Sequence, residues 1–324
     1  MIYNAPRSMA NCPAPAKLNL FLHVTGRRAN GYHLLLTVFQ LLDHGDILHF
    51  AVRDDGVVHR ISMLEGVAED EDLTVRAARL LQATIAKRSG RIVPGADIDV
   101  EKYLPLGGGL GGGSSDAATT LLVLNHLWRG GLSRAELMAL GLTLGADVPF
   151  FLFGESAFAE GVGEQLQAVA TPACWYVVIE PGVMVPTLAI FNEPHLTRNT
   201  KAVRIADFSR GPIGFGKNDL QAVVAAQYPA VAGAIAWLGQ FGLARMTGSG
   251  ACVFCAFASE QEAEAALQAT QAEILSGMQE LTQESGQESG REPAHVKQRK
   301  QAGAWKAWRA EALTQHPLAY LLQS

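Results

Sequence analysis

Between Gly107 and Gly113, six of seven residues are glycine, inside the stretch YLPLGGGLGGGSSDAATTLLVLNHLW that runs from Tyr103 to Trp128. Glycine loses more conformational freedom on folding than any other residue. Such a concentration therefore marks either a slack linker or a backbone that something must approach too closely for side chains. The bracketing decides against a linker, because ADIDVEKYL alternates as a strand up to the glycines and an apolar helix opens at Ser114. Gly107-x-Gly109-x-x-Gly112 matches the dinucleotide fingerprint in spelling only. Pro105 interrupts its approach, and a second helix follows where that motif needs a strand. The run ends Gly-Ser-Ser and carries no lysine, which excludes a Walker-type phosphate loop. What remains is an anion cradle: inward-pointing glycine N–H groups, the positive end of the Ser114 helix, and the Ser114 and Ser115 hydroxyls to bond an anion or ligate Mg²⁺. Nucleotide phosphates are the expected anion.

The segment AKLNLFLHV alternates, with Leu18, Leu20, Leu22 and Val24 on one face and Lys17, Asn19, Phe21 and His23 on the other. It reads as a half-buried strand carrying a cation and an amide side by side. Asn30-Gly31 signals a tight hairpin into LLLTVFQLL, and short strands follow near Asp46–Arg53 and Val57–Met63. DEDLTVRAARLLQATIAKR reads as a helix with acids first and bases last, and Ser133 and Glu136 open another with a capping box. The chain changes character near Leu166, so two domains are expected, 1–165 and 166–324, both α+β. CWYVVIEPG and ARMTGSGACVFCAFAS read as strands of the second, where a further glycine loop precedes the strand. Residues 275–301 read as a polar, disordered insert, with WKAWRAEAL and HPLAYLLQS returning to the fold.

At 324 residues and 48% hydrophobic, the chain buries enough for two such domains. A net charge of −5 gives no global field towards nucleic acid or an anionic membrane. The N-terminus lacks a secretory h-region, and Leu220–Ala244, broken by Pro229 and three glycines, reads as a buried helix pair. Four scattered cysteines, with Cys252-x-x-Cys255 inside an apolar strand, fit reduced core thiols. A cytoplasmic protein without nucleic-acid or membrane partners is expected, as monomer or homodimer.

Three segments together resemble the GHMP kinase superfamily: PAKLNLFLHV near the start, PLGGGLGGGSSDAA in the middle and TGSGACVF in the second half. RRANGYHLL, LGADVPFFL, AFAEGVGE and PGVMVPT are similar to the branch that phosphorylates a CDP-linked methylerythritol in the non-mevalonate isoprenoid route. The resemblance covers about residues 13–258. It implies an N-terminal domain like the second domain of ribosomal protein S5, a ferredoxin-like C-terminal domain, ATP as donor and Mg²⁺ as its counterion, with metal ligands unassigned. It implies Lys17 and Asp147 as catalytic residues, although Asp147 also reads as the N-cap of a proline-started helix and Lys17 as a strand lysine. For ATP it implies Lys102 and the segment Pro105, Leu106, Gly107, Gly108, Gly109, Leu110, Gly111, Gly112, Gly113, Ser114 and Ser115. An Asn-Leu pair expected before the first helix is here Asp72-Leu73. For the acceptor it implies Asn19, Tyr32, His33, Thr187, Phe191, Gly248 and Ser249, with Tyr32 and Phe191 as opposed rings and His33 as an edge contact. Phe39 stands near the acceptor or in the core, and Asn218-Asp219 either cap a helix or touch ligand. A different acceptor alcohol (a sugar or a mevalonate type) and a non-catalytic nucleotide or RNA binder are the competing readings.

Overall fold

The computed structural model describes residues 6–29, 31–64, 66–283 and 302–322. Its backbone is a ten-stranded sheet built on two long antiparallel strands, β1 (Ser8–Arg27) and β2 (His33–Arg53). The return strand is continuous through Arg53, so the separate short strand expected at Asp46–Arg53 is the far half of β2. β3 (Val58–Arg60) pairs parallel with β4 (Gly95–Glu101), and β4 pairs with the far half of β2. Between them runs α1 (Leu73–Ser89), capped by the Asp72 carboxylate on Thr74 N–H.

The glycine run leads into α2 (Gly112–Leu127), which begins two residues before the expected Ser114 because Gly111, at φ +75°, already serves as its N-cap. α3 (Arg134–Leu144) carries the Ser133/Glu136 capping box, and α4 (Val148–Phe153) follows with a proline at its second position. β5 (Ala157–Glu160) pairs with β2 at Thr37–Phe39 and with β6 (Gln165–Ala168). In the second half come β7 (Trp175–Glu180), α5 (Thr187–Asn192), α6 (Ile205–Arg210), α7 (Gln221–Gln227), α8 (Pro229–Leu238), β8 (Arg245–Met246), β9 (Val253–Phe257), α9 (Glu260–Gln283) and β10 (Lys306–Leu313). Their strands lie in the order β10-β7-β9-β8, all antiparallel, which is the fourth-first-third-second order of a ferredoxin-like sheet. The fold class is α+β.

Two further expectations change. Residues 275–283 belong to α9, so the first part of the expected insert is helical, and 284–301 lie outside the described residues. β1 is buried on both faces from Ala14 to Val24, because the second half packs on the face expected to meet solvent. A register shift between Asn19 and Leu22 also breaks the alternation. Phe21 thereby joins Leu18 and Leu20 in a core shared with Phe158, Val178 and Phe254, while Leu22 turns to the side of Lys17 and Asn19. No single helix among the described residues is long and apolar enough to cross a membrane; α7 and α8 pass only as a pair bent by 120°.

Candidate active site

Gly107, Gly109 and Gly111 have φ of +70°, +77° and +75°, a conformation in which a Cβ is strained. All three line one cavity of roughly 780 Å³ at the junction of the two halves. The alternate positions turn inward: Leu110 is core, and Gly108 packs between Pro105 and Cys252. The loop is fastened on both sides, by Lys17 N–H on Leu110 C=O (2.9 Å) and Cys252 N–H on Gly108 C=O (3.1 Å). A Cβ on Gly109 would fall 2.3 Å from Thr247 C=O, so the two glycine loops pack backbone to backbone. Asn218 holds the second loop, donating to the carbonyls of Met246 and Gly248 at 2.8 Å each. Asp219 accepts from Val24 N–H at 2.8 Å, so this pair is spent on scaffold.

Of the segment expected at the phosphates, Gly107, Gly109, Gly111 and Ser114 reach the cavity. Ser115 is fully buried with its Oγ unpartnered, and Leu106 is an exposed outer lip. Lys102 does not line the cavity either. Its Nζ bonds Asp46 and, at 2.8 Å, Asp116, behind the start of α2. Burial alone would lower its pKa, but Asp116 and Asp46 raise it on balance, while burial pushes the Asp116 carboxyl up to about 8. Asp46 also accepts from Tyr103 and Leu104 N–H, so this triad anchors the entry to the loop. Asp72, in place of the expected asparagine, is buried in a 2.6 Å pair with Arg60.

On the opposite wall Lys17 Nζ lies 3.5 Å from Asp147 Oδ2. The lysine side chain is only 4% exposed and the aspartate 34%, so the carboxylate presents the open face of the pair. Asp147 occupies the N-cap position of α4, yet its side chain makes no capping bond. The carboxylate is free of that duty. Lys17 is held from behind by Asn19 Oδ1 (2.6 Å), and Asn19 Nδ2 donates to Thr37 Oγ1 (2.9 Å), which in turn donates to Phe21 C=O. Both polar ends of Asn19 are thus committed to aiming the lysine. The Lys17 ammonium also stands 5.3 Å over the Phe39 ring.

At the far end the cavity is walled by Tyr32, His33 and Phe191, with Thr187 and Ser249 joined between them and the glycine loops by a 2.7 Å hydroxyl pair. Tyr32 is exposed and at the mouth. His33 stacks on Phe191 at 5.0 Å and 27°, so these two rings form one platform at this end of the cavity. Sequence reasoning missed Arg198, which bonds His33 Nε2 at 3.1 Å, and the wall residues Leu22, Thr37 and Leu188. Arg198 sits in a loop with no periodic or motif signal, and the turn of Leu22 depends on a bulge that composition does not announce.

The N-terminal domain model of the GHMP kinases matches residues 72–155, and their C-terminal model matches 199–274. The chain is 63% identical over 315 residues to the 4-diphosphocytidyl-2-C-methyl-D-erythritol kinase of Herminiimonas arsenicoxydans, covering 97% of this chain and 99% of the relative. It is 54% identical to the enzyme of the same name from Azoarcus sp. (strain BH72), covering 97% and 98%. Among solved structures it resembles a 4-(cytidine 5'-diphospho)-2C-methyl-D-erythritol kinase with TM-score 0.70 and 28% identity, covering 94% of this chain and 98% of that one. A homoserine kinase from Cytophaga hutchinsonii, at 16% identity and TM-score 0.59, shares the fold. Identity of this depth over nearly the whole chain settles the lineage: the chain belongs to the GHMP kinases and, within them, to the 4-diphosphocytidyl-2-C-methyl-D-erythritol kinase family.

Proposed function

We propose that the protein transfers the γ-phosphate of ATP to the 2-hydroxyl of 4-diphosphocytidyl-2-C-methyl-D-erythritol, a step towards isoprenoid precursors by the non-mevalonate route. The observation that carries the reading is the Lys17–Asp147 pair, 3.5 Å apart on the wall of a cavity that also holds the loop glycines and the His33/Phe191 platform. Residues 1–165 supply the pair and the first glycine loop, and residues 166–324 supply the second loop and Phe191. Relatives at 52–63% identity bear the name of this activity. The cytoplasm, where ATP is available, is the proposed location.

A tertiary alcohol holds its proton far above neutral pH, so it must lose that proton as its oxygen attacks phosphorus. Asp147 takes the proton, the new O–P bond forms, and the bond from the γ-phosphorus to the bridging oxygen of ADP breaks. Lys17 faces both the carboxylate and the reacting oxygen, lowering the cost of negative charge there. Asn19 keeps the lysine in place without competing for the substrate. The backbone of Gly107, Gly109 and Gly111 admits the phosphates against the wall, and the opening of α2 directs its unpaired N–H groups at them. Among the described residues no cluster of three His, Cys, Asp or Glu forms a metal cage. Two of the oxygen donors that line the cavity, the Ser114 hydroxyl and the Asp147 carboxylate, suit a hard cation held mainly by substrate phosphates, as Mg²⁺ is. Bound there, Mg²⁺ would offset charge on the transferring group.

The test is ADP release by the recombinant protein with ATP and the CDP-linked acceptor, set against mevalonate and homoserine. Turnover with the CDP-linked alcohol alone is expected, and turnover only with another alcohol overturns the substrate assignment. Replacing Asp147→Asn should lower kcat by about 10²-fold or more with little change in either KM. Unchanged kcat would remove Asp147 from the chemistry while leaving the substrate assignment intact.

A further inference from the structure

β1 is paired along one edge only, with β2, and no second strand forms a ladder with it among the described residues. Its other edge is nonetheless occupied by groups from distant parts of the chain. Lys17 N–H donates to Leu110 C=O at 2.9 Å, Asn19 N–H to Thr247 Oγ1 at 3.0 Å and Leu22 N–H to Lys217 C=O at 2.9 Å. Between Asn19 and Leu22 the register with β2 shifts, and a bulge of this kind leaves backbone groups without ladder partners. Side chains take the two carbonyls there. Thr37 Oγ1 donates to Phe21 C=O, and Arg245 Nη1 donates to Leu20 C=O at 2.6 Å. The same guanidinium gathers Phe215 C=O at 2.5 Å, Gly214 C=O at 2.6 Å and Gly216 C=O at 2.8 Å. Arg245 is buried, and burial is the one influence that shifts its pKa, downward, so its charge is met by carbonyls and not by a carboxylate. A planar fork of N–H donors that stays charged when buried is what four converging carbonyls require.

We propose that Arg245 is a positioning residue for the phosphoryl transfer, which fixes the bulge of β1 and so sets Lys17 and Asn19 in register with the second glycine loop. Arg245 stands directly before that loop, and Thr247, two residues on, receives Asn19 N–H. One side chain thus ties together the root of the loop, the turn at 214–216 and the strand that carries the lysine. Lys17 depends on this tie through Asn19, whose Oδ1 holds its ammonium at 2.6 Å. The inference rests on the role proposed for the Lys17–Asp147 pair.

The experiment compares the full-length protein with its Arg245→Met and Arg245→Lys variants, with kcat referred to the folded fraction measured by urea unfolding. Lysine labelled with ¹³C at Cε gives a signal for Lys17, assigned by its loss in Lys17→Gln and displaced by the Phe39 ring beneath the ammonium. That signal reports where the side chain stands without any turnover. In Arg245→Met it should move towards the position of an ordinary lysine. There kcat should fall about tenfold or more, with KM for the CDP-linked acceptor little changed. Arg245→Lys keeps a cation with three donors and should restore both readings in part. A fall in kcat with the Lys17 signal unmoved makes the arginine a support of the fold alone and overturns the proposal, as does an unmoved kcat. Should Arg245→Met fail to fold, Arg245→Lys decides by the same pairing of signal and rate. No turnover of the CDP-linked acceptor by the unaltered protein would remove the proposed function instead, and the Lys17 signal alone would then decide whether Arg245 sets that side chain.

Discussion

Lys102 shows how a residue's type and place can be read while its duty is not. The sequence puts a lysine just before the glycine run, and the family resemblance implies an ATP contact for it. The fold holds it half-buried between the buried carboxylates of Asp46 and Asp116, which pair with its charge. Removing one member of such a buried group leaves charge without compensation, which costs more than the intact group contributes. Lys102→Met is therefore expected to lower unfolding free energy by about 3 kcal/mol. Adding Asp116→Asn should recover part of that loss, because it removes one of the two stranded carboxyls. Urea unfolding of both variants checks this, and an unshifted midpoint in Lys102→Met would show that the triad does not anchor the loop. The same limit applies to Asp147 and Asn19. Both are legible as polar residues of one site, but which hydrogen bonds each spends is decided by atoms from β2, α4 and the second glycine loop, far away along the chain.

At the scale of elements, the readable parts are those that local physics fixes. The Ser133/Glu136 box, the helix with acids before it and bases at its end, the β1–β2 hairpin and the strand–glycine–helix succession each follow from a few consecutive residues, and each is present. Bulges are different. The shift that turns Leu22 towards the cavity is set by pairing with β2, and no residue in AKLNLFLHV announces it. Close approach between loops is equally silent, since a glycine needed for positive φ looks the same as one needed for space. Two glycines separate these causes. Gly90 has φ +67°, and a Cβ placed there would meet nothing within 4 Å, so Gly90→Ala tests backbone strain alone. Gly109 has φ +77° and would also drive its Cβ to 2.3 Å from Thr247 C=O. Gly90→Ala should cost about 1 kcal/mol. Gly109→Ala should cost roughly 3 kcal/mol and raise KM for ATP, because the two loops must part. Equal losses of stability in the two variants, with KM unmoved, would mean that the loop contact does not matter.

Across the whole molecule, β10 turns two sheets into one. It pairs with β7 along Lys306–Glu311 and then reaches β2 at Leu41 and Leu42, while Trp308 stacks on His44 at 4.0 Å. WKAWRAEAL reads as a return to the fold, but the partner strands of such a segment are chosen by three-dimensional closure and leave no mark in its own residues. Beyond β10 the chain docks on the N-terminal half, with His316 N–H on Gly154 C=O at 2.7 Å and Leu318 and Leu321 inside the core packed on α2. His316 is buried there as a neutral ring, its Nδ1 accepting from Leu318 N–H at 3.0 Å. Burial lowers its pKa to about 4 from an ordinary 6.5. Below pH 6.5 the unfolded chain takes up a proton that the folded ring refuses, so stability is fully present above that value and falls as pH drops towards 4. The lost contribution reaches about 3 kcal/mol at the lower end. In His316→Leu, which cannot titrate, the fall between about pH 6.5 and pH 4.5 should be shallower by about that order, with a cost of about 1 kcal/mol at neutral pH for the lost bond to Leu318. Urea unfolding of both proteins at a series of pH values measures the difference. Parallel curves would mean that the ring is protonated in place and that acid does not act on the folded chain through this docking point.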